Sequence, residues 1–203
     1  MSRSKIMEDK ETGYRYNSTF LNRGIEMIDD MSQRHSRVMQ TRMDFRYPEG
    51  RAVDGTNKEF SDMLHGLMKE LKKEEYDPRY MGRREQNDRP HQHYHLNLLT
   101  NAKKHECRDT LIKKAERHWG NALGMTPQEV HEKMLVYPCN TDRNGAPRPN
   151  GYILARGSEN YDATREAMIR QMSYITKADT GDTTPSSTRK FFTSLTRKND
   201  KKE

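Results

Sequence analysis

Cysteine is nearly absent from this sequence: among 203 residues only Cys107 and Cys139 carry a thiol. They make neither a disulfide framework nor a pair with metal-ligand spacing, which excludes the small stapled secreted domains and fits a reducing compartment. Long apolar runs are missing too. No stretch approaches the roughly 18 residues that a membrane-spanning helix needs. Met1–Gly13 also lacks the apolar segment of a secretory signal. A cytoplasmic protein without a membrane partner is therefore expected. Apolar residues are scarce in general, at 31%, against 33% charged residues. The core must be economical and the chain ends solvated.

Positive charge is in excess. Lys and Arg number 37 against 30 Asp and Glu, a formal net charge of +7. Such a balance favours an anionic partner, because cations that neutralise phosphates release condensed counterions. By itself it fits an ordinary protein with a basic tail equally well. The length suits one domain with a real core. A mobile arm is expected over residues 1–15, a folded domain over 16–180, and a basic, mostly disordered tail over 181–203.

The hydrophobic periodicity alternates between helix and strand. Phe20, Leu21, Ile25, Ile28 and Met31 predict a helix over Asn17–His35. In Val38–Tyr47, Met43, Phe45 and Tyr47 alternate with Arg42, Asp44 and Arg46, as in a half-buried strand. Thr56 and Glu59 have the spacing of a capping box for a helix running to Lys73. Arg79–Glu85 and His91–Leu99 read as the two strands of a hairpin around the turn-like Gln86–Pro90. Helices follow over Lys103–Leu123, stopped by Gly124, and from Thr126-Pro127. Short strands near Met134–Tyr137 and Gly151–Ala155 precede a last helix over Asn160–Lys177. This order predicts an α+β fold, with an antiparallel central sheet covered by helices.

The sharpest chemical signal is Pro90-His91-Gln92-His93-Tyr94-His95-Leu96. Alternate residues of a strand share a face, so His91, His93 and His95 point the same way. Two imidazoles at that spacing can hold one divalent ion, with carboxylate or water completing the shell. Three candidates compete for a third ligand. Glu85 lies across the hairpin, opposite His91 if Gln86–Pro90 is the loop; Asp44 is on the polar face of an earlier strand; and His91 itself is available. A second signal is Ser173-Tyr174-Ile175-Thr176-Lys177. On a helix Tyr174 and Lys177 are neighbours, pairing a covalent nucleophile with an ammonium that can position a phosphate. Alone, a Tyr-x-x-Lys pair is more often an ordinary surface pair. Tyr161 falls on another face of the same helix, which leaves Tyr174 as the single nucleophile. Trp119, with Leu111, Ile112 and Ala115 at helical spacing, reads as core.

His93-Tyr94-His95 and Tyr174-x-x-Lys177 resemble the two motifs of HUH endonucleases with one catalytic tyrosine. Three stretches, Arg42–Pro48, His93–Asn101 and Gln171–Thr180, resemble more closely the filamentous-phage (inovirus-type) replication proteins and their prophage relatives of the YagK/YfjJ C-terminal domain type. The resemblance spans roughly Asn17 to Phe192. It implies an HUH-like rolling-circle replication initiator of a phage or prophage element, working in a bacterial cytoplasm. It further implies a divalent cofactor, Mg2+ or Mn2+, held by His93 and His95, and catalysis by Tyr174 assisted by Lys177; the third ligand, Glu85 or His91 on the strand reading, is not fixed by either motif. Its partner is single-stranded or hairpin DNA at a replication origin. Arg42 and Arg46 and the tail residues Arg189, Lys190 and Arg197 are the expected DNA contacts. The sequence has no Gly-rich phosphate loop ending in Gly-Lys-Thr or Gly-Lys-Ser, so unwinding falls to a host helicase. Two other readings compete: a regulator that keeps this fold without the chemistry, and an RNA- or protein-binding accessory factor with structural histidines.

Overall fold

The structure, a computed structural model, describes residues 6–8, 15–86, 91–103, 107–141, 144–178 and 183–194. Among the described residues eight strands and five helices follow one another: β1 (Ile6–Glu8), β2 (Arg15–Asn17), α1 (Ser18–Arg34), β3 (Arg37–Phe45), α2 (Lys58–Lys73), β4 (Arg79–Glu85), β5 (His93–Asn101), α3 (Arg108–Leu123), α4 (Pro127–Glu132), β6 (Val136–Tyr137), β7 (Tyr152–Ala155), α5 (Tyr161–Ser173) and β8 (Phe191–Thr193). A 3-10 turn, Tyr174–Thr176, extends α5. The main sheet runs β6-β3-β5-β4-β8, with β7 on the same edge of β3 as β6. Every pairing is antiparallel. The fold is α+β, as the alternating periodicity predicts.

Side-chain alternation along β3, β4 and β5 splits the core into two layers. Met43, Phe45, Tyr94, Leu96 and Leu98 face α2 and α3, which supply Phe60, Leu67, Leu111, Ala115 and Trp119. Val38, Met81 and Leu99 point the opposite way, toward Met27, Ile28 and Met31 of α1 and Met168 and Met172 of α5. Gly24 brings α1 close to α5, since a Cβ there would lie 2.6 Å from Met172 Cγ. Gly124 ends α3 in the left-handed region, at φ 68°, a conformation glycine adopts without a Cβ penalty.

Both chain ends and the start of α2 differ from the reading of the sequence. The first residues, expected to be a mobile arm, include β1, which pairs with β2. The tail from residue 181 contributes β8, which extends the main sheet at β4. Its Phe192 completes the α2 layer, while Phe191 stacks on Phe20 at 3.9 Å. Two apolar residues suffice to anchor an otherwise polar segment, because the open edge of β4 offers unpaired backbone groups. The capping box of α2 does not form either. Its N-cap is Asn57, while Thr56 bonds Asp54 and Glu59 accepts from the Tyr47 hydroxyl.

Trp119 is fully buried, edge-on to Phe45 and Tyr47, and its indole N–H donates to the Arg46 carbonyl at 2.9 Å. Trp119→Ala should cost about 3–5 kcal/mol in denaturant unfolding. A loss below about 1 kcal/mol would show that this layer does not depend on the indole. The residue lies across the sheet from the site described next, so the folded fraction should keep its metal affinity.

Candidate metal centre and active site

The face of the sheet that packs on α1 and α5 changes character along each strand. On β3 it reads Val38, Gln40, Arg42, Asp44; on β4, Met81, Arg83, Glu85; on β5, running the other way, Leu99, Asn97, His95, His93. It is apolar at Val38, Met81 and Leu99, neutral and polar at Gln40 and Asn97, which donate to carbonyls of α5, and charged toward the end of α5. Antiparallel pairing then gathers the charged ends at one place. Asp44 is directly opposite His95, and Glu85 is opposite His93. The hairpin register is thus offset by two residues from the expected Glu85–His91 pairing. A shift of two preserves the face of every side chain, so Glu85 still meets a histidine of the motif.

Glu85, His93 and His95 offer ligand atoms that all lie within 4.8 Å of one another. One oxygen of Glu85 makes contact with His93 Nε2 at 2.9 Å and His95 Nε2 at 3.0 Å. Two imidazoles and a carboxylate converging on one point are a donor set for a divalent transition ion. Asp44 does not join them. It holds the opposite ring nitrogen, His95 Nδ1, at 2.7 Å. That is the outer-shell carboxylate that orients a ligating imidazole and fixes its tautomer. Arg42 backs Asp44 at 3.3 Å.

The charge states follow from these contacts. Burial pushes the Asp44 carboxyl up, but His95 and Arg42 outweigh it and hold it well below the usual range. Burial opposes ionisation of Glu85 as well, and hydrogen bonds from His93 and His95 bring it far down. For His95 burial lowers the pKa, yet Asp44 and Glu85 carry it above that of a free histidine. Without metal His95 therefore keeps its proton to higher pH than usual. A metal ion must expel that proton from Nε2, so affinity should fall as pH drops below the raised pKa, by about tenfold per unit. Titration calorimetry with Mn2+ between pH 6 and pH 8 measures this. Asp44→Asn should move the fall to lower pH and weaken binding by about 10–100-fold. An affinity flat across the range would remove His95 from the ligand set.

Tyr174 arrives at this centre from the end of α5. Its ring is edge-on to His95, with centroids 5.8 Å apart. Arg42 lies over the ring at 3.8 Å from its centroid, and Lys177 Nζ lies 4.3 Å from it. The helix that was read through to Lys177 stops at Ser173. The 3-10 turn presents Tyr174, and the chain then leaves helical geometry at Lys177. There β2 captures it: Tyr16 bridges Lys177, and Ala178 N–H donates to the Arg15 carbonyl at 2.8 Å. The Arg83 guanidinium donates to the Lys177 carbonyl.

Other expected residues fall elsewhere. His91 precedes β5 and packs edge-on to Tyr47, outside the Glu85–His93–His95 group, because the alternating strand begins only at His93. Arg42 is 3% exposed and engaged with Asp44 and Tyr174, not an open surface cation. Arg46 is exposed and lies over Tyr137. Arg189 lies over Phe192, and Lys190 precedes β8 with its carbonyl accepting from Arg84. Neither is in the metal group. Arg197 is outside the described residues. Tyr161 donates to Ser32 Oγ at 3.1 Å and packs in the α1–α5 layer. Asp44 lies outside the donor group, paired with Arg42 at 3.3 Å and with the far nitrogen of His95 at 2.7 Å. A carboxylate on the same strand face two residues from an arginine was the available signal for its actual place.

The model of the YagK/YfjJ C-terminal domain family matches residues 2–194. This chain belongs to the YagK/YfjJ C-terminal domain family. The match covers both motifs and all eight strands of this family member. None of the curated proteins compared matches it. Among solved structures, the N-terminal nuclease domain of non-structural protein 1 of minute virus of mice is similar at TM-score 0.36 and 8% identity, over 75% of this chain and 98% of that one. That domain is described as having Zn2+ coordination in its active-site pocket and a mode of DNA recognition at the origin of replication. Among the described residues no helix is long and apolar enough to cross a membrane.

Proposed function

We propose that this protein is a metal-dependent DNA nickase with a single catalytic tyrosine, which cuts and rejoins one strand and so initiates rolling-circle replication of a phage or prophage element. One observation carries the reading. Tyr174, 79 residues beyond His95 in the chain, lies against the ring of that histidine, at the edge of a three-donor metal group.

The chemistry is a phosphoryl transfer. A divalent ion held by Glu85, His93 and His95 supplies Lewis acidity to the scissile phosphate and orients it. The Tyr174 oxygen attacks phosphorus and gives up its proton to solvent. The bond from phosphorus to the 3′-oxygen breaks, and that oxygen leaves as a 3′-hydroxyl after taking a proton. The 5′-phosphate stays on Tyr174, and reversal rejoins the strand. Lys177, with Arg42 behind the same ring, puts positive charge against Tyr174, where a phosphate and its developing charge are held. Two imidazoles and one carboxylate favour Mn2+ over Mg2+ in this site. The substrate is single-stranded or hairpin origin DNA in the bacterial cytoplasm, unwound by a host helicase.

The test is incubation of the protein with single-stranded hairpin DNA from its own element and Mn2+ or Mg2+. The expected product is a covalent protein–DNA adduct, located by mass spectrometry after nuclease trimming. If no adduct forms with any metal or hairpin, the protein is a nucleic-acid-binding relative without the chemistry.

A further inference from the structure

A groove of about 420 Å3 opens beside Tyr174 on the side away from the histidines' hairpin. One wall is α5, which lays Ala163, Glu166, Ala167 and Arg170 along one stripe at three- and four-residue spacing, with Tyr174 of the 3-10 turn at its end. The other wall carries Arg148 and Tyr152, and Arg42 joins the groove to the metal centre. The two alanines leave room where a longer side chain would fill the channel. Arg148 and Arg170 face one carboxylate, Glu166, while Arg42 is balanced by Asp44, so the groove is net positive. Glu166 is itself largely exposed and pairs loosely with Arg170 at 3.4 Å. Arg148 is braced by a 2.8 Å bond from its Nε to the Cys139 carbonyl. From Ala163 to Tyr174 the stripe is roughly 16 Å long at the rise of a helix, which is longer than one nucleotide needs.

We infer that this groove is the track by which single-stranded DNA reaches Tyr174. Arg148 and Arg170 hold backbone phosphates, Tyr152 offers a ring for a base, and Arg42 hands the strand to the scissile position. The positive charge selects a polyanion. The open, elongated shape selects a single strand with accessible bases over a compact metabolite, and an aromatic wall serves any base because every base has a π-face. The track rests on the nickase reading for its ligand and extends it to residues outside both sequence motifs.

The test measures binding without cleavage. Fluorescence anisotropy of a labelled oligothymidine is followed at low salt, in EDTA, with the full-length protein. Arg170→Glu and Ala167→Trp should each weaken binding by about tenfold or more, and Arg170→Glu should also flatten the salt dependence. Lys69→Glu makes the same charge change on the exposed side of α2 and should cost less than about threefold. Circular dichroism melting confirms that each variant folds. If the groove variants bind as well as Lys69→Glu does, the track is wrong even where the wild type forms its adduct. If binding depends on the groove but no adduct forms, the track stands and the nickase reading falls. No binding by the wild type overturns the track.

Discussion

Tyr174→Phe should leave the protein folded, able to take up metal and able to hold single-stranded DNA, yet unable to form a covalent adduct. The ring is held by its faces and edges: Arg42 at 3.8 Å, Lys177 at 4.3 Å, and His95 edge-on at 5.8 Å. Phenylalanine keeps all three contacts and loses only the attacking oxygen. Nicking should fall by at least about a thousandfold, equivalent to about 4 kcal/mol of transition-state stabilisation. Lys177→Met should slow adduct formation by about 10–100-fold without abolishing it, since an ammonium assists and does not attack. Peptide mass spectrometry of the DNA-linked species locates the attachment. Full nicking by Tyr174→Phe, or attachment at Tyr152 or Tyr161, would overturn the mechanism. Tyr161 is the less suited of the two, because its hydroxyl is engaged with Ser32 in the α1–α5 layer.

Loss of a histidine ligand should be nearly as severe. His95→Ala removes one donor and also separates Asp44 and Glu85 from the imidazole that holds both carboxyls ionised. Metal affinity should drop by more than about a hundredfold, beyond the range usual for outer-shell changes, and metal-dependent nicking should drop with it. Because His95 is 6% exposed, its removal also disturbs a buried network. His93→Ala provides the cleaner variant: its side chain is 18% exposed and it lies nearer the open end of the sheet. Calorimetry with Mn2+ and circular dichroism together separate loss of metal from loss of fold. A folded His93→Ala protein with wild-type metal affinity and nicking would remove the centre from the mechanism. Its position also explains why this end of the sheet can hold charge. The apolar layer made by Met27, Met31, Met168 and Met172 stops before it, so His93 and Glu85 retain contact with solvent.

Local periodicity made much of this legible. The alternation in His91–Leu99 put three histidines on one face; β5 bears this out for His93 and His95, while His91 precedes the strand. The apolar stripes of α2 and α3 were enough to locate those helices and their buried sides; in α1 the stripe located the helix, but of its members only Ile28 and Met31 are fully buried, beside Met27. Gly124 and the Thr126–Glu129 capping box marked real helix ends. Weak local signals failed where long-range contacts decide. Ile6–Glu8 and Phe191–Thr193 are three-residue strands, too short for a period to show. They form because β2 and the edge of β4 are there to pair with them. The capping spacing of Thr56 and Glu59 was real in the sequence, but Tyr47, brought in by β3, takes the glutamate instead.

The centre itself divides along the same line. Which side of a strand a residue occupies follows from the geometry of the backbone, and the sequence alone determined that Glu85, His93, His95, Asp44 and Arg42 lie on polar strand faces. Which of them touch depends on register and strand order. Only the tertiary structure decided that Glu85 completes the donor group, that Asp44 holds the far nitrogen of His95, and that His91 is left out beside Tyr47. Tyr174 is the extreme case. Its helical spacing from Lys177 was visible, but nothing local relates it to a histidine 79 residues away. That meeting comes from packing α5 across β3 and β5, with Gly24 letting α1 close behind it and β2 pinning the chain at Lys177. Side-chain alternation is a property of each segment, whereas the contact between two segments depends on the free energy of burying their faces together.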